Sequence, residues 1–84
     1  MTSAIGESSH TEGHMTQAIG AFSHAEGNET NVTGNHAHAE GYKTSANEDS
    51  SHSEGSFTQA TGICSHAEGD NTIASGARAH TEGC

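Results

Sequence analysis

Residues 15–28, MTQAIGAFSHAEGN, are one copy of a fourteen-residue unit that fills the chain. The signature of the unit, His-x-Glu-Gly, begins six times at intervals of fourteen residues, and six units account for all 84 residues. Fixed self-similarity is typical of repeat architectures, in which each unit packs on its neighbours. The sequence therefore predicts a single repeat domain, residues 1–84, with six coils: 1–14, 15–28, 29–42, 43–56, 57–70 and 71–84.

Small residues occupy every second position of the unit, in two short runs. Numbered from the start of a coil, position 2 is always Thr, position 4 is Ala or Val, and position 6 is Gly in five coils. Position 9 is Ser or Ala, position 11 is Ala, Ser or Thr, and position 13 is always Gly. A period of two is typical of strands with one crowded face. We therefore expect an all-β fold, a flattened parallel β-roll (β-solenoid) about 28 Å tall at ~4.8 Å per coil.

All eleven glycines lie at positions 6 and 13, where the two runs end. This spacing predicts two tight corners per coil, at which a left-handed or otherwise strained backbone favours glycine. Coil four has Glu48 at position 6 instead. If that corner needs positive φ, Glu48 is strained, and we expect coil four to be the loosest of the six. The predicted corner glycines are Gly6, Gly13, Gly20, Gly27, Gly34, Gly41, Gly55, Gly62, Gly69, Gly76 and Gly83.

The composition argues against several classes of protein. Four Ile, one Val, two Phe and no Leu are too few large apolar side chains for a conventional enzyme core, and we expect no catalytic residues and no cofactor. Eleven acidic residues against Lys43 and Arg78 argue against nucleic acid as a partner. We expect no membrane contact by this segment, which lacks an apolar run of 18 residues, and no signal peptide in this chain.

The outward positions of the two strands have different chemistry. Positions 3 and 5 of the first strand vary among Ser, Gln, Asn, Ile and Thr, as expected of a face in water. Positions 10 and 12 of the second strand are His and Glu in every coil, although stacking Glu on Glu opposes like charges. Water alone is therefore a poor explanation, and we take these twelve residues as the candidate site: His10, Glu12, His24, Glu26, His38, Glu40, His52, Glu54, His66, Glu68, His80 and Glu82.

The run Ser-His-Ala-Glu-Gly, at residues 23–27 and 65–69, resembles the Ser-Val-Ala-Ile-Gly repeat of trimeric autotransporter adhesin heads (YadA-like, Hep/Hag). The Thr-x-Ala-x-Gly strand and the unit length are similar over the whole chain, and SHAEG arrays also resemble segments of bacteriophage tail fibres. The resemblance implies a left-handed β-roll and a homotrimer, intertwined or side by side, whose axis is lined by the Val and Ile positions. Here His and Glu take those positions, so a polar core along the threefold axis is implied.

The same resemblance implies a structural role in a virion tail fibre or at the bacterial cell surface, with a host-surface receptor as a candidate partner. A metal-binding array is the alternative function, because three imidazoles on a threefold axis would accept zinc, nickel or copper. We assign no metal-site residues, because a metal site normally occurs once and not in every coil. An ice-binding solenoid is only a remote alternative, because the Thr residues at position 2 alternate in step with the small inward residues and are therefore expected to point into the coil. The sequence leaves open whether His pairs with Glu within a strand or across chains. Such pairing would raise the pKa of the histidines, whereas desolvation would lower it.

Bulky residues occur at positions 14, 1 and 8, next to the predicted corners. We expect them to pack in grooves between protomers, and receptor contact is the alternative. His36 is expected on a corner as well, and Cys64 and Cys84 are too few for a disulfide framework and are expected to be structural or incidental. The bulky corner residues are Met15, Phe22, Tyr42, Lys43, Phe57 and Arg78.

Overall fold

The computed structural model describes residues 2–83, which form twelve short β-strands and no helix. Met1 and Cys84, the latter predicted to have a structural or incidental role, lie outside the described residues. The strands are β1 (Thr2–Ala4), β2 (His10–His14), β3 (Thr16–Ala18), β4 (His24–Asn28), β5 (Asn31–Val32), β6 (His38–Tyr42), β7 (Ser45–Ala46), β8 (His52–Ser56), β9 (Gln59–Ala60), β10 (His66–Asp70), β11 (Ile73–Ala74) and β12 (His80–Thr81).

The strands alternate between two parallel sheets. The first sheet has the order β1-β3-β5-β7-β9-β11 and the second the order β12-β10-β8-β6-β4-β2. Each strand pairs with the strand fourteen residues away, so that Thr2 is opposite Thr16 and His10 is opposite His24. A chain that returns to the same sheet every fourteen residues winds a β-solenoid of six coils, and the predicted architecture is confirmed. The handedness of the winding and the trimer stay predictions.

The inner faces of both sheets are lined by small side chains. Thr16, Ala18 and Ala25 have no exposed surface, and Val32 is the largest fully buried side chain. The backbone measures 28 × 21 × 10 Å, so the two sheets lie closer than the ~10 Å usual for stacked sheets. Because stabilisation scales with the apolar area removed from water, this thin interior of Ala, Thr and Ser stabilises a lone chain only weakly.

The two corners of a coil favour glycine for different reasons, and only one of them takes a left-handed backbone. The glycines at position 13 have φ between 111° and 114°, whereas those at position 6 have no positive φ. At Gly20, a position-6 residue, an added Cβ would collide with the carbonyl oxygen of Gly34 in the next coil. The close approach of stacked backbones therefore leaves no room for a Cβ at Gly20.

Positive φ, between 55° and 61°, occurs also at corner residues other than glycine. These residues lie at positions 8 and 1 of the coils, where the sequence varies freely. They are Ser8, Met15, Phe22, Glu29, His36, Lys43, Ser50, Phe57, Cys64, Asn71 and Arg78.

Glu48 does not have a positive φ, so the condition under which strain was expected in coil four is not met. Its side chain is exposed, and its carbonyl oxygen accepts hydrogen bonds from the backbone N–H of Ser51 at 3.2 Å and from the Ser51 hydroxyl at 2.6 Å. Ser9, Ser23 and Ser65 close the equivalent corners with the same hydroxyl bond. That coil four is the loosest stays a prediction, which now depends on the crowding of a Cβ against the following coil.

Candidate functional site

The even-numbered strands present the twelve His and Glu residues on the outer face of the second sheet. Each strand begins at the histidine, and in β2, β4, β6, β8 and β10 the glutamate follows two residues later. The residue between them points inward, as Ala39 does with no exposed surface. In coil six, β12 ends at Thr81, and Glu82 follows it as an exposed residue. We call this row of twelve side chains the His/Glu ladder.

In-register pairing stacks the imidazole rings of the ladder on one another. His24 pairs with His38 and Glu26 with Glu40, and the other coils repeat this register. From His24 to His80, neighbouring ring centroids are 4.5 to 4.8 Å apart and the ring planes differ by no more than 5°. The first ring, that of His10, is tilted by 40°. A flat, regular array of rings therefore runs along one side of the solenoid.

Each ladder histidine of the first five coils lies beside the carboxylate of its own coil, and three histidines also lie beside a carboxylate of the preceding coil. Within a strand the distance from Nε2 to Oε1 is 3.6 to 3.8 Å in the first five coils. Between coils it is 3.9 Å from His38 to Glu26, 3.6 Å from His66 to Glu54 and 3.4 Å from His80 to Glu68. His and Glu of one strand thus lie close together, and the structure adds contacts between coils, which the sequence does not predict. Pairing across chains stays a prediction.

The ladder is half-buried in the middle of the solenoid and more open at its ends. Side chains from His24 to Glu68 are 30–36% exposed, whereas those of His10, Glu12 and His80 are 52–59% exposed. Burial lowers the pKa of His52 from its ordinary value, and the neighbouring His38 and His66 lower it further. The carboxylates of Glu54 and Glu40 raise the pKa of His52, but their effect is smaller. Desolvation therefore outweighs ion pairing at His52.

Four imidazole nitrogens of the ladder are shielded and unpaired. Nε2 of His24, His38, His52 and His66 is buried and lacks a hydrogen-bond partner within the described chain. These nitrogens and the carboxylate oxygens form groups whose atoms lie within 4.8 Å of one another. The groups that have the residue types for a metal ion are His10-Glu12-His24, His24-Glu26-His38, His38-Glu40-His52, His52-Glu54-His66 and His66-Glu68-His80.

Bulky corner residues contact one another along the stack, which the sequence analysis did not predict. The rings of Phe22 and His36 lie 5.2 Å apart and nearly parallel. Tyr42 and Phe57 meet edge to face at 5.4 Å, and the Nζ of Lys43 lies 5.5 and 5.6 Å from their ring centres. These residues lie fourteen or fifteen positions apart, about one coil, and this spacing is the sequence feature from which the contacts could have been predicted. The corner position of His36 is confirmed, and packing between protomers stays a prediction.

The Thr column lies inside the solenoid. Thr16, Thr30, Thr44 and Thr58 are buried, so these hydroxyls offer no flat outer array of the kind that ice binding needs. Cys64 is exposed on a corner as a free thiol.

Comparison with protein families and curated sequences finds no match. No protein family profile matches the chain, and no curated protein sequence is significantly similar to it. Within residues 2–83, no helix of the length and apolarity needed to span a bilayer is present.

Proposed function

We propose that this chain is a structural segment of a homotrimeric fibre, from a phage tail fibre or a bacterial surface adhesin. Three left-handed ribbons turn their second sheets toward a common threefold axis, and the His/Glu ladders meet there. The observation that carries the proposal is the presence of His and Glu on this face in every coil. A single binding site needs its residues once, whereas a contact along the whole solenoid needs them in every layer.

The distribution of apolar side chains supports association. The interior holds only small side chains, mainly Ala, Thr and Ser, while eight large apolar side chains are 40–68% exposed on the outside. Burial of the corner residues among them between protomers would supply the stabilisation that the interior lacks, whereas Ile5, Ile19 and Ile73 lie on the outer side of the first sheet, away from the axis. The exposed residues are Ile5, Met15, Ile19, Phe22, Tyr42, Phe57, Ile63 and Ile73.

The chemistry of the ladder suits a shared axis. A buried charge is tolerated when it is paired and hydrogen-bonded, and costs several kcal/mol when it is left alone. In a trimer, a carboxylate such as Glu40 can accept a hydrogen bond from an imidazole of a neighbouring chain in the same layer. Three chains then close the interface, and each carboxylate of a layer has an imidazole donor within the same layer.

The repeat gives this segment a mechanical role, which is to hold three chains in register. A slip by one residue places the inward Ala and Ser against the partner and turns His and Glu into the coil. A slip by a whole coil retains most contacts, so the differences between coils, such as the corner residues, set the final register. A host-surface receptor would then contact the exposed corners, since the ladder is covered in the trimer.

A matched pair of variants tests the proposal. We expect the double variant His38→Val, Glu40→Ile to stay trimeric and at least as stable as the parent, because one matched layer replaces another. The single variant His38→Val leaves unpaired carboxylates of Glu40 in that layer, so we expect it to melt at a lower temperature and dissociate at higher protein concentration.

The control is Asn31→Val, an exposed position on the outer face of the first sheet, which should leave the trimer unchanged. Thermal melts and mass measured over a dilution series give the readout. Equal melting temperatures for the single variant, the double variant and the parent would contradict a shared axis at the ladder.

A further inference from the structure

We propose that the His/Glu ladder binds two divalent transition-metal ions per chain, in two separate sites. The first site is formed by His24, Glu26 and His38, and the second by His52, Glu54 and His66. This function is additional to the fibre role, because all three ligands of each site come from one chain.

The distances between the candidate ligand atoms fit a shared ion better than they fit direct hydrogen bonds. In the first site Oε1 of Glu26 is 3.6 Å from Nε2 of His24 and 3.9 Å from Nε2 of His38. In the second, the corresponding distances from Glu54 are 3.8 and 3.6 Å. Hydrogen bonds are shorter than about 3.2 Å, whereas two ligands that each lie ~2.0–2.1 Å from one ion are roughly 3.3–4 Å apart.

Three observations select these two sites from the five groups. Among the described residues, only Glu26, Glu54 and Glu68 lie within 4.0 Å of two imidazole nitrogens. The four shielded Nε2 atoms without a hydrogen-bond partner belong to the histidines of the two proposed sites. The rings inside each site are 4.5 and 4.6 Å apart, whereas His38 and His52, which belong to different sites, are 4.8 Å apart. His66 and His80 are also 4.6 Å apart, and this pair is excluded by the exposure of His80.

The single lone pair of a neutral imidazole explains why the sites alternate. Nε2 can bind one ion only, so two neighbouring groups that share a histidine cannot both be filled. The group around Glu68 shares His66 with the second site, and its other histidine, His80, is more than half exposed. The two proposed sites use each histidine once and leave Glu40 between them without an ion.

The donor set and the charge indicate the class of ion. Two imidazoles and one carboxylate are donors that Zn²⁺ takes, and Ni²⁺, Cu²⁺ and Co²⁺ accept them too. The chain carries a formal net charge of −9, so a divalent cation relieves the repulsion within the row of carboxylates. The parallel rings of each site must turn toward each other, because nitrogens that share an ion lie at most about 4.2 Å apart.

The number of ions bound per chain tests the proposal. The full chain is treated with a chelator, the chelator is removed, and Zn²⁺ is titrated in while calorimetry measures the heat of binding. Binding should saturate at two ions per chain, and Co²⁺ should give the absorption bands of a protein-bound ion. Mg²⁺ should not compete, because it favours sites made of oxygen ligands. Saturation at zero, one or more than two ions, or displacement by equimolar Mg²⁺, overturns the proposal.

Two neighbouring variants locate the ions. Glu26→Gln removes the carboxylate of the first site and should reduce binding from two ions to one. Glu40→Gln makes the same change one coil later, between the sites, and should retain two. His14→Ala, outside the ladder, is a further control that should retain two, and far-UV circular dichroism checks that each variant is folded.

Equal losses in Glu26→Gln and Glu40→Gln overturn the assignment. The mass of the chain in solution is measured separately. A trimer that binds no metal rejects this inference and leaves the proposed function standing, whereas a monomer that binds two ions does the reverse.

Discussion

The two faces of the second sheet lie on the same strands but are constrained differently. On the inner face the middle residue of the His-x-Glu motif is Ala, Ser or Thr, so the constraint is size. On the outer face His and Glu do not change in any coil, although each has similarly sized alternatives. The inner face is explained by the narrow space between the sheets. A constraint on chemical identity supports the two proposals, that the outer face contacts other chains and that it binds ions.

The largest expected effect comes from adding bulk where stacked backbones touch. Gly41→Ala adds a Cβ at φ +114°, directly against the carbonyl oxygen of Gly55. We expect a loss of about 3 kcal/mol or more in the free energy of unfolding, because both the strain and the collision must be relieved. Chemical denaturation of the variant and the parent measures the loss.

Gly83→Ala is the matched control for that substitution. Gly83 has nearly the same φ, +111°, but an added Cβ meets nothing within 4 Å. The strain alone should cost about 1 kcal/mol. Equal losses for the two variants would show that backbone conformation, and not the stacking of coils, makes glycine necessary at this corner.

A smaller effect, which is a gain in stability, is expected from giving an unpaired buried hydroxyl on the inner face a hydrogen-bond partner. The hydroxyls of Ser53 and Thr58 bond at 2.6 Å across the interior, whereas Oγ1 of Thr44 is buried without a partner among the described residues. Ala39 is five residues before Thr44, as Ser53 is before Thr58. We expect Ala39→Ser to stabilise the chain by about 1 kcal/mol.

Ala67→Ser is the control for this gain. The hydroxyl of Thr72 already donates to the carbonyl oxygen of Glu68 at 3.1 Å. A serine in place of Ala67 should therefore stabilise the chain less than one in place of Ala39. Melting temperatures under identical conditions give the comparison. If both serine variants are destabilised, the inner face is limited by volume alone, and the hydrogen-bond explanation is wrong.

The smallest predicted effect concerns protonation on the outer face. Burial lowers the pKa of folded His52 below 6.5, and His38 and His66 act with burial against Glu54 and Glu40. The unfolded chain therefore binds this proton more tightly than the folded chain does. The resulting stability is present above about pH 6.5 and is lost as the pH falls from that value through the folded pKa.

Denaturation at pH 7.5 and 5.5, with chelator present, checks the sign. The parent should lose more stability between the two values than His52→Gln, whereas His14→Gln, on an exposed corner, should behave as the parent does. A parent that gains stability on acidification would show that ion pairing with the carboxylates, and not burial, governs His52.

The repeat period and the columns of small residues were sufficient to predict the coils, the two parallel sheets and the direction in which each ladder residue points. The corners were less predictable, because positions 8 and 1 take a left-handed backbone with residues as different as Phe22 and Lys43. No residue preference marks such positions. Contacts between coils, such as His38 with Glu26, depend on side-chain conformations that spacing along the chain does not determine.

The mass of the purified chain in solution is the most direct test of the proposed function. Multi-angle light scattering with chelator present should give three times the 8.5 kDa of one chain, and this value should persist on dilution. A mass of 8.5 kDa at every concentration, with the chain folded by circular dichroism, would contradict an interface at the His/Glu ladder.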